Sequence, residues 1–246
     1  PNTLFHIDCL YEIIKCTKII KKQVNLICEI GAGFGSLSRL LTNEFTNSKI
    51  IILDLPEANY LNSYYLLKNF PYKKFLFYSE IKENFLSEKI IKDKDIIIMP
   101  PWVKLKNLKV DIYSNVRSFM EMDHKVIEDY FHEIQKNIST DGIFVNINRY
   151  DKRTVGYPIR LENYPYDKNW SVITSKQTWN HLNVHTLITK RTNKLSNIDK
   201  EIKKIRRLRV INNLKINKHL LKNILPHSLF LFIQKTVHYL KNKINK

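Results

Sequence analysis

Glycine is scarce in this chain, five in 246 residues, and cysteine, methionine and tryptophan number three each. Three cysteines (Cys9, Cys16, Cys28) cannot build a disulfide framework, and none stands at zinc-binding spacing from another Cys or His. A reducing, cytoplasmic setting is therefore expected, with no metal. Long apolar runs are missing too. A spanning helix needs about 20 apolar residues, and the best candidate, Leu229 to Ile233, falls far short of that. The first stretch, PNTLFHIDCLYEIIKC, is broken by His6, Asp8 and Glu12 and does not read as a secretory leader. Beginning at Pro1 with no Met, the chain reads as a segment of a longer protein.

Acidic residues are also in short supply. Asp and Glu total 23 against 41 Lys and Arg, a net charge of +18 that invites a nucleic-acid hypothesis. The distribution weakens it. Fourteen of the Lys and Arg follow Thr192, opposed only by Asp199 and Glu201, so the basicity belongs largely to a C-terminal appendage. What remains, with 43% hydrophobic residues overall, suffices for one α/β domain with additions.

Three of the five glycines crowd into ICEIGAGFGSL, residues 27 to 37. An apolar strand, Leu26 to Ile30, runs into them, and an apolar-periodic segment (Leu37, Leu40, Leu41, Phe45) follows. Strand, tight turn and helix start make a site where glycines adopt positive φ, a ligand lies against bare backbone, and the new helix offers free N–H groups. The dinucleotide fingerprint G-x-G-x-x-G is not matched, because its third glycine would fall at Ser36. The pattern is instead Glu-x-Gly-x-Gly-x-Gly.

Further along, strands are expected at Ile50 to Leu53, Lys74 to Tyr78, Asp95 to Met99, Val110 to Asn115 and Ile143 to Ile147. Helices are expected over residues 4 to 20, Ala58 to Phe70 and Glu121 to Ile138, and Trp170 to Thr174 with Val184 to Thr189 suit a closing antiparallel hairpin. Alternating strands and helices imply a doubly wound, mainly parallel α/β sheet whose ligands sit beyond the C-terminal strand ends. Residues 151 to 183, rich in Tyr and Pro, read as a lid, an acceptor-side wall or a surface loop.

The glycine pattern, with Glu29 two residues before Gly31, resembles the first motif of class I S-adenosylmethionine-dependent methyltransferases, and Asp54 ends the next apolar strand. Read with IILDLPEANYLNSYYL, the SNVRSFMEM block, NINRY and YPYDKNW, the chain resembles the bacterial sugar O-methyltransferases of surface polysaccharide biosynthesis over residues 26 to 170. That resemblance implies a class I methyltransferase (Rossmann-like) fold and S-adenosylmethionine as cofactor. It places Glu29 near the methionine amino group, Gly31, Ala32, Gly33 and Gly35 along the cofactor, Asp54 and Leu55 at the ribose, and Asn115 nearby. The chain then divides into an N-terminal helix (1–24), a cofactor-binding domain (25–191) and a basic helical extension (192–246).

Methyl transfer to a sugar hydroxyl needs an in-line approach and a destination for the hydroxyl proton. Glu121, Asp123 and His124 near the fourth strand tip, and His181 and His185 in the late β segment, are candidate bases. The bland alternative for Glu121 and His124 is a solvated first helical turn. Ser118 is a further candidate contact for cofactor or sugar, Asn148, Arg149 and Tyr150 for the acceptor, with Arg149 suited to a phosphate. Met99-Pro100-Pro101-Trp102 resembles the loop of methyltransferases that act on exocyclic amines, but Met99 replaces the polar acceptor that holds the amine. RNA or other nucleic-acid methylation is thus the runner-up, and an inactive cofactor-binding scaffold the third reading. In the tail, Leu229, Phe232, Ile233, Val237 and Leu240 after Pro226 form an amphipathic stripe flanked by Lys235, Lys241 and Lys243. It suits the anionic inner face of a membrane, self-association, or packing on its own domain.

Overall fold

The computed structural model describes residues 2–178, 181–196, 198–216, 228, 229, 231, 232 and 234–236. In chain order its elements are α1 (Asn2–Ile20), β1 (Leu26–Ile30), α2 (Ser36–Glu44), β2 (Lys49–Leu53), α3 (Pro56–Asn69), β3 (Phe75–Phe77), β4 (Phe85–Leu86), α4 (Glu88–Ile91), β5 (Ile96–Met99), β6 (Lys104–Leu105), β7 (Val110–Val116), α5 (His124–Asn137), β8 (Ile138–Arg149), β9 (Asp151–Lys152), β10 (Ile159–Arg160), β11 (Trp170–Gln177), β12 (Val184–Arg191) and α6 (Ile198–Ile216).

Eight strands form one sheet in the order β11-β12-β8-β7-β1-β2-β5-β3. Neighbours run parallel except at β12, which is antiparallel to both β8 and β11. The fold is therefore the expected doubly wound, mainly parallel sheet, closed at one edge by the expected hairpin. Its central strands are short apolar runs (IIIL in β2, IIIM in β5) buried on both faces, as parallel strands between two helical layers must be. One face packs against Phe5, Cys9 and Ile13 of α1, Leu37 and Leu41 of α2 and Leu66 of α3. The other packs against Ile127, Phe131 and Ile134 of α5 and Ile198 and Ile205 of α6. β1 lies between β2 and β7, where strand order reverses, and this opens a crevice at the C-terminal ends of these three strands.

Several expectations need correction. Helices α1 and α6 each bury isoleucines in the cores just described, so both pack on the sheet of residues 25–191. The helix expected from Glu121 starts at His124, since the Asp123 carboxylate accepts the Lys125 N–H at 2.9 Å and caps it, while Phe119–Glu121 forms a separate 3-10 turn. Helix α3 begins at Pro56, two residues before Ala58, because proline suits a first turn. Within the excursion 151–183, Ile159, Leu161 and Tyr164 are buried. Of the C-terminal apolar stripe, Leu229 and Phe232 are exposed, while Pro226, Ile233, Val237, Leu240, Lys241 and Lys243 lie outside the described residues. No described helix is long and apolar enough to cross a membrane.

Candidate functional site

The glycine turn is built as its sequence demands. Gly31, Gly33 and Gly35 have φ of +74°, +56° and +85°, a region L-residues with a Cβ rarely adopt. At Gly31 a Cβ would also lie 1.9 Å from Ser118 Oγ, whereas at Gly33 it would meet open space, so bare backbone faces a ligand there. Asp54, at the tip of β2, closes the turn. The Gly33 N–H donates to its Oδ2 at 2.7 Å and the Leu55 N–H to its Oδ1 at 2.8 Å, which fixes the carboxylate plane. Partial burial still raises the Asp54 pKa above its ordinary value, outweighing those two donors.

Beneath the turn, Glu29 is buried and accepts the Ser38 hydroxyl. Desolvation, reinforced by the charge of Asp54, pushes its carboxyl up to about 7. A second layer of amides holds the turn from α3. Asn59 Nδ2 donates to the carbonyls of Asp54 and Met99, both at 2.9 Å, and Asn62 Nδ2 to that of Gly33 at 3.3 Å.

A cavity of about 440 Å³ opens on this turn. Gly31, Ala32, Gly33 and Asp54 line it together with Phe5 and His6 of α1 and Arg117, Met120 and Glu121 of the loop after β7. Arg117 has φ +60°, strained for a residue with a side chain, and its guanidinium stands 5.7 Å from the Phe5 ring centre. His6 is half-buried, and its Nδ1 is enclosed without a hydrogen-bond partner among the described residues. Burial first, and the Arg117 charge second, hold the His6 pKa below its ordinary value, so the imidazole is neutral at pH 7.

The candidate residues are distributed unevenly around this cavity. Ser118 and Glu121 line it, and Glu121 is ion-paired with Lys152. Leu55 is exposed at the start of α3. Asp123 caps α5 and accepts the Tyr157 hydroxyl, while His124 stacks on the Tyr157 ring, and neither lines the cavity. His181 is one ring removed, edge-on to Phe5 at 5.3 Å. His185 is fully buried between Tyr150 Oη and Ser175 Oγ, both at 2.8 Å, and is held down to about 3 by desolvation, reinforced by the charge of Lys204. Tyr150, expected as an acceptor contact, is buried with its hydroxyl on His185 and does not line the cavity. Arg149 lies on the last residue of β8 with its Nε enclosed and does not line the cavity.

Asn115 also takes a different part from the cofactor contact expected. It is wholly buried, with Nδ2 donating to the Ile30 carbonyl at 2.9 Å and Oδ1 accepting from Phe119 N–H at 3.0 Å and Asn148 Nδ2 at 2.8 Å. Asn148 in turn donates to Asn146 Oδ1 at 2.7 Å. These three asparagines tie the tips of β7 and β8 to the loop that carries Arg117, Ser118 and Glu121. His6 and Phe5 escaped sequence reasoning, since nothing local in α1 marks them. Arg117 lay within the strand-tip block SNVRSFMEM but was given no role of its own.

A second cavity, of about 320 Å³, is lined by Pro56, Asn59 and Tyr60 of α3 together with Tyr78, Pro100 and Trp102, among others. Trp102 Nε1 donates to Tyr78 Oη at 3.2 Å, and the two rings meet edge to face. The MPPW loop thus sits at the tip of β5, which β2 separates from β1, and not on β7 beside the glycine turn.

No protein-family model matches the chain, and neither does any curated protein. Among solved structures it is similar to the S-adenosylmethionine-dependent methyltransferase SibL in its apo form, at 8% identity over 74% of this chain and 56% of that one, with a TM-score of 0.47. The mitomycin 7-O-methyltransferase MmcR is similar at 14% identity over 74% of this chain and 54% of its own, also with a TM-score of 0.47. TrmK of M. capricolum in complex with S-adenosylhomocysteine is similar at 14% identity over 94% of this chain and 96% of its own, again with a TM-score of 0.47. The chain thus spans little more than half the length of SibL and of MmcR.

Proposed function

We propose that the chain transfers a methyl group from S-adenosylmethionine to a sugar hydroxyl of a bacterial surface glycan or its nucleotide-activated precursor. The observation that carries the cofactor is the pairing of two left-handed glycines, Gly31 and Gly33, with the fixed carboxylate of Asp54 in the lining of one cavity. The sugar rests on the resemblance of the DLPE, SFMEM and NRY segments.

The residues present fit such a ligand. Each Asp54 oxygen keeps a lone pair after its backbone donor, enough for the two hydroxyls of a ribose. The aromatic cavity suits a flat purine against Trp102, Tyr78 and Tyr60. On the glycine side, the open backbone at Gly33 accommodates the amino-acid arm, and the buried Glu29 beneath it favours a cationic neighbour. Bound there, the cofactor supplies an electrophilic methyl on a sulfonium. The chain supplies alignment, with the acceptor held between Arg117, His6 and Glu121, and proximity of this kind lowers a barrier by up to about 7 to 11 kcal/mol. In this reading the enzyme works in the cytoplasm, and residues 198–246 bring it to the inner membrane face or to a second copy.

The runner-up, a nucleic-acid methyltransferase, is favoured by one observation. Lys200, Lys203, Arg206 and Arg207 are all exposed on α6. Transfer of labelled methyl into two pools from cells lacking the protein, a glycan and nucleotide-sugar extract and total RNA, tests both. Nuclease-resistant label in the glycan pool, lost with Asp54→Ala, is expected. Label only in RNA establishes the runner-up, and cofactor binding with no transfer to either pool establishes a scaffold.

A further inference from the structure

Arg117 is placed unlike the arginines at 160, 191 and 209. Those three are paired with Asp151, Asp167 and Glu162 respectively. Arg117 lines the cavity, is held there by a strained left-handed backbone, and belongs to none of the salt bridges seen among the described residues. The nearest carboxylate along its loop, Glu121, is engaged by Lys152. A guanidinium left without an anion in a partly closed cavity is a site for one. Beside it His6 presents an imidazole whose Nδ1 also lacks a partner.

We infer that Arg117 and His6 form the acceptor end of the site, built for a hydroxyl flanked by an oxyanion such as a sugar phosphate, with Arg117 gripping the anion and His6 taking the hydroxyl proton. The inference rests on the methyltransferase reading above. In the step itself, a lone pair of the hydroxyl oxygen forms the new O–C bond as the C–S bond breaks, the C–S electrons remain on sulfur, and the proton passes to the imidazole. Anion and base are coupled. While Arg117 is bare its charge depresses the basicity of His6, and an anion on Arg117 cancels that charge, so a correct acceptor strengthens its own base. The other titratable groups around the imidazole are Asp54 and Glu121, which line the same cavity, Asp8 two residues along α1, and His181 beyond the Phe5 ring.

Calorimetric titration of inorganic phosphate into the full chain, with and without S-adenosylhomocysteine, tests this in wild type, Arg117→Gln and Arg117→Lys. Phosphate should bind the wild type, weaken roughly ten- to a hundredfold in Arg117→Gln and recover in part in Arg117→Lys, as loss of a charged hydrogen bond requires. The NMR titration of His6 should move to higher pH when phosphate is bound. Affinities for S-adenosylhomocysteine and for methylthioadenosine, which lacks the amino-acid arm, should be unchanged by either substitution. Equal phosphate affinity in wild type and Arg117→Gln overturns the inference. So does a variant that loses S-adenosylhomocysteine but keeps methylthioadenosine, for then the cofactor's own carboxylate occupies Arg117. A wild type that binds phosphate through Arg117 yet no S-adenosylhomocysteine would instead remove the cofactor reading and leave the anion site standing.

Discussion

Glu29 carries the largest electrostatic tension in the glycine turn. Its folded pKa of about 7 lies above the ordinary 4.5, so the folded chain holds a proton that the unfolded chain has already released between those values. Stability must therefore fall as pH rises from about 4.5 to 7 and level off above, by about 3 kcal/mol from this group alone. Glu29→Gln keeps the Ser38 contact and removes the charge. Urea unfolding should show the variant close to wild type near pH 4.5 and more stable by up to that amount at pH 8. Parallel pH dependences in the two proteins would mean that Glu29 is ionised in the fold. The same residue marks how much of the site was legible. Glu29, the glycines and Asp54 are tied by chain proximity and strand order, both readable from the sequence. His6 reaches the cavity only because α1 packs across the sheet, and no local pattern encodes that. Asn115 and Tyr150 were placed on ligands because they lie at or just past strand tips. Whether such a side chain turns outward or into the core depends on neighbouring strands.

At the scale of elements, the buried asparagines of β7 and β8 do what a longer hydrophobic strand end could not. Asn148 joins Asn115, Asn146 and the Met120 N–H, at 2.8, 2.7 and 3.4 Å, and so fixes the loop that carries Arg117 and Glu121. Asn148→Ala leaves the other two amides short of partners in a dry environment, at a cost of about 2 to 4 kcal/mol. Chemical denaturation should register that loss. Acceptor-side phosphate binding should weaken more than binding of methylthioadenosine, which we propose sits on Asp54 and the aromatic cavity. An equal loss for both ligands would show that the asparagines support the whole site and not this loop. The elements themselves were largely readable, because runs such as IIIL and IIIM admit little but buried parallel strands. The two-residue strands β4, β6, β9 and β10 were not, since each depends on a partner that only the fold brings alongside.

Over the whole molecule, helix α6 ties the start of the basic C-terminal region to the core. Helix α6 buries Ile198, Ile205 and Ile211 and anchors Arg209 to Glu162 at 2.7 Å, so a cut before it would open the core. Each of those isoleucines is worth about 1.5 to 3 kcal/mol in burial alone. Six lysines and no acidic residue follow Ile216. A chain ending at Ile216 should therefore fold cooperatively and bind S-adenosylhomocysteine as the full chain does, while losing most of its sedimentation with vesicles rich in anionic lipid. Near such a surface each basic residue contributes about 1 kcal/mol, and the full chain's binding should fade as salt rises. Undiminished sedimentation of the shortened chain would transfer the membrane role to the exposed basic face of α6. Binding of total RNA by both chains alike, with no vesicle binding by either, would direct the same face toward nucleic acid.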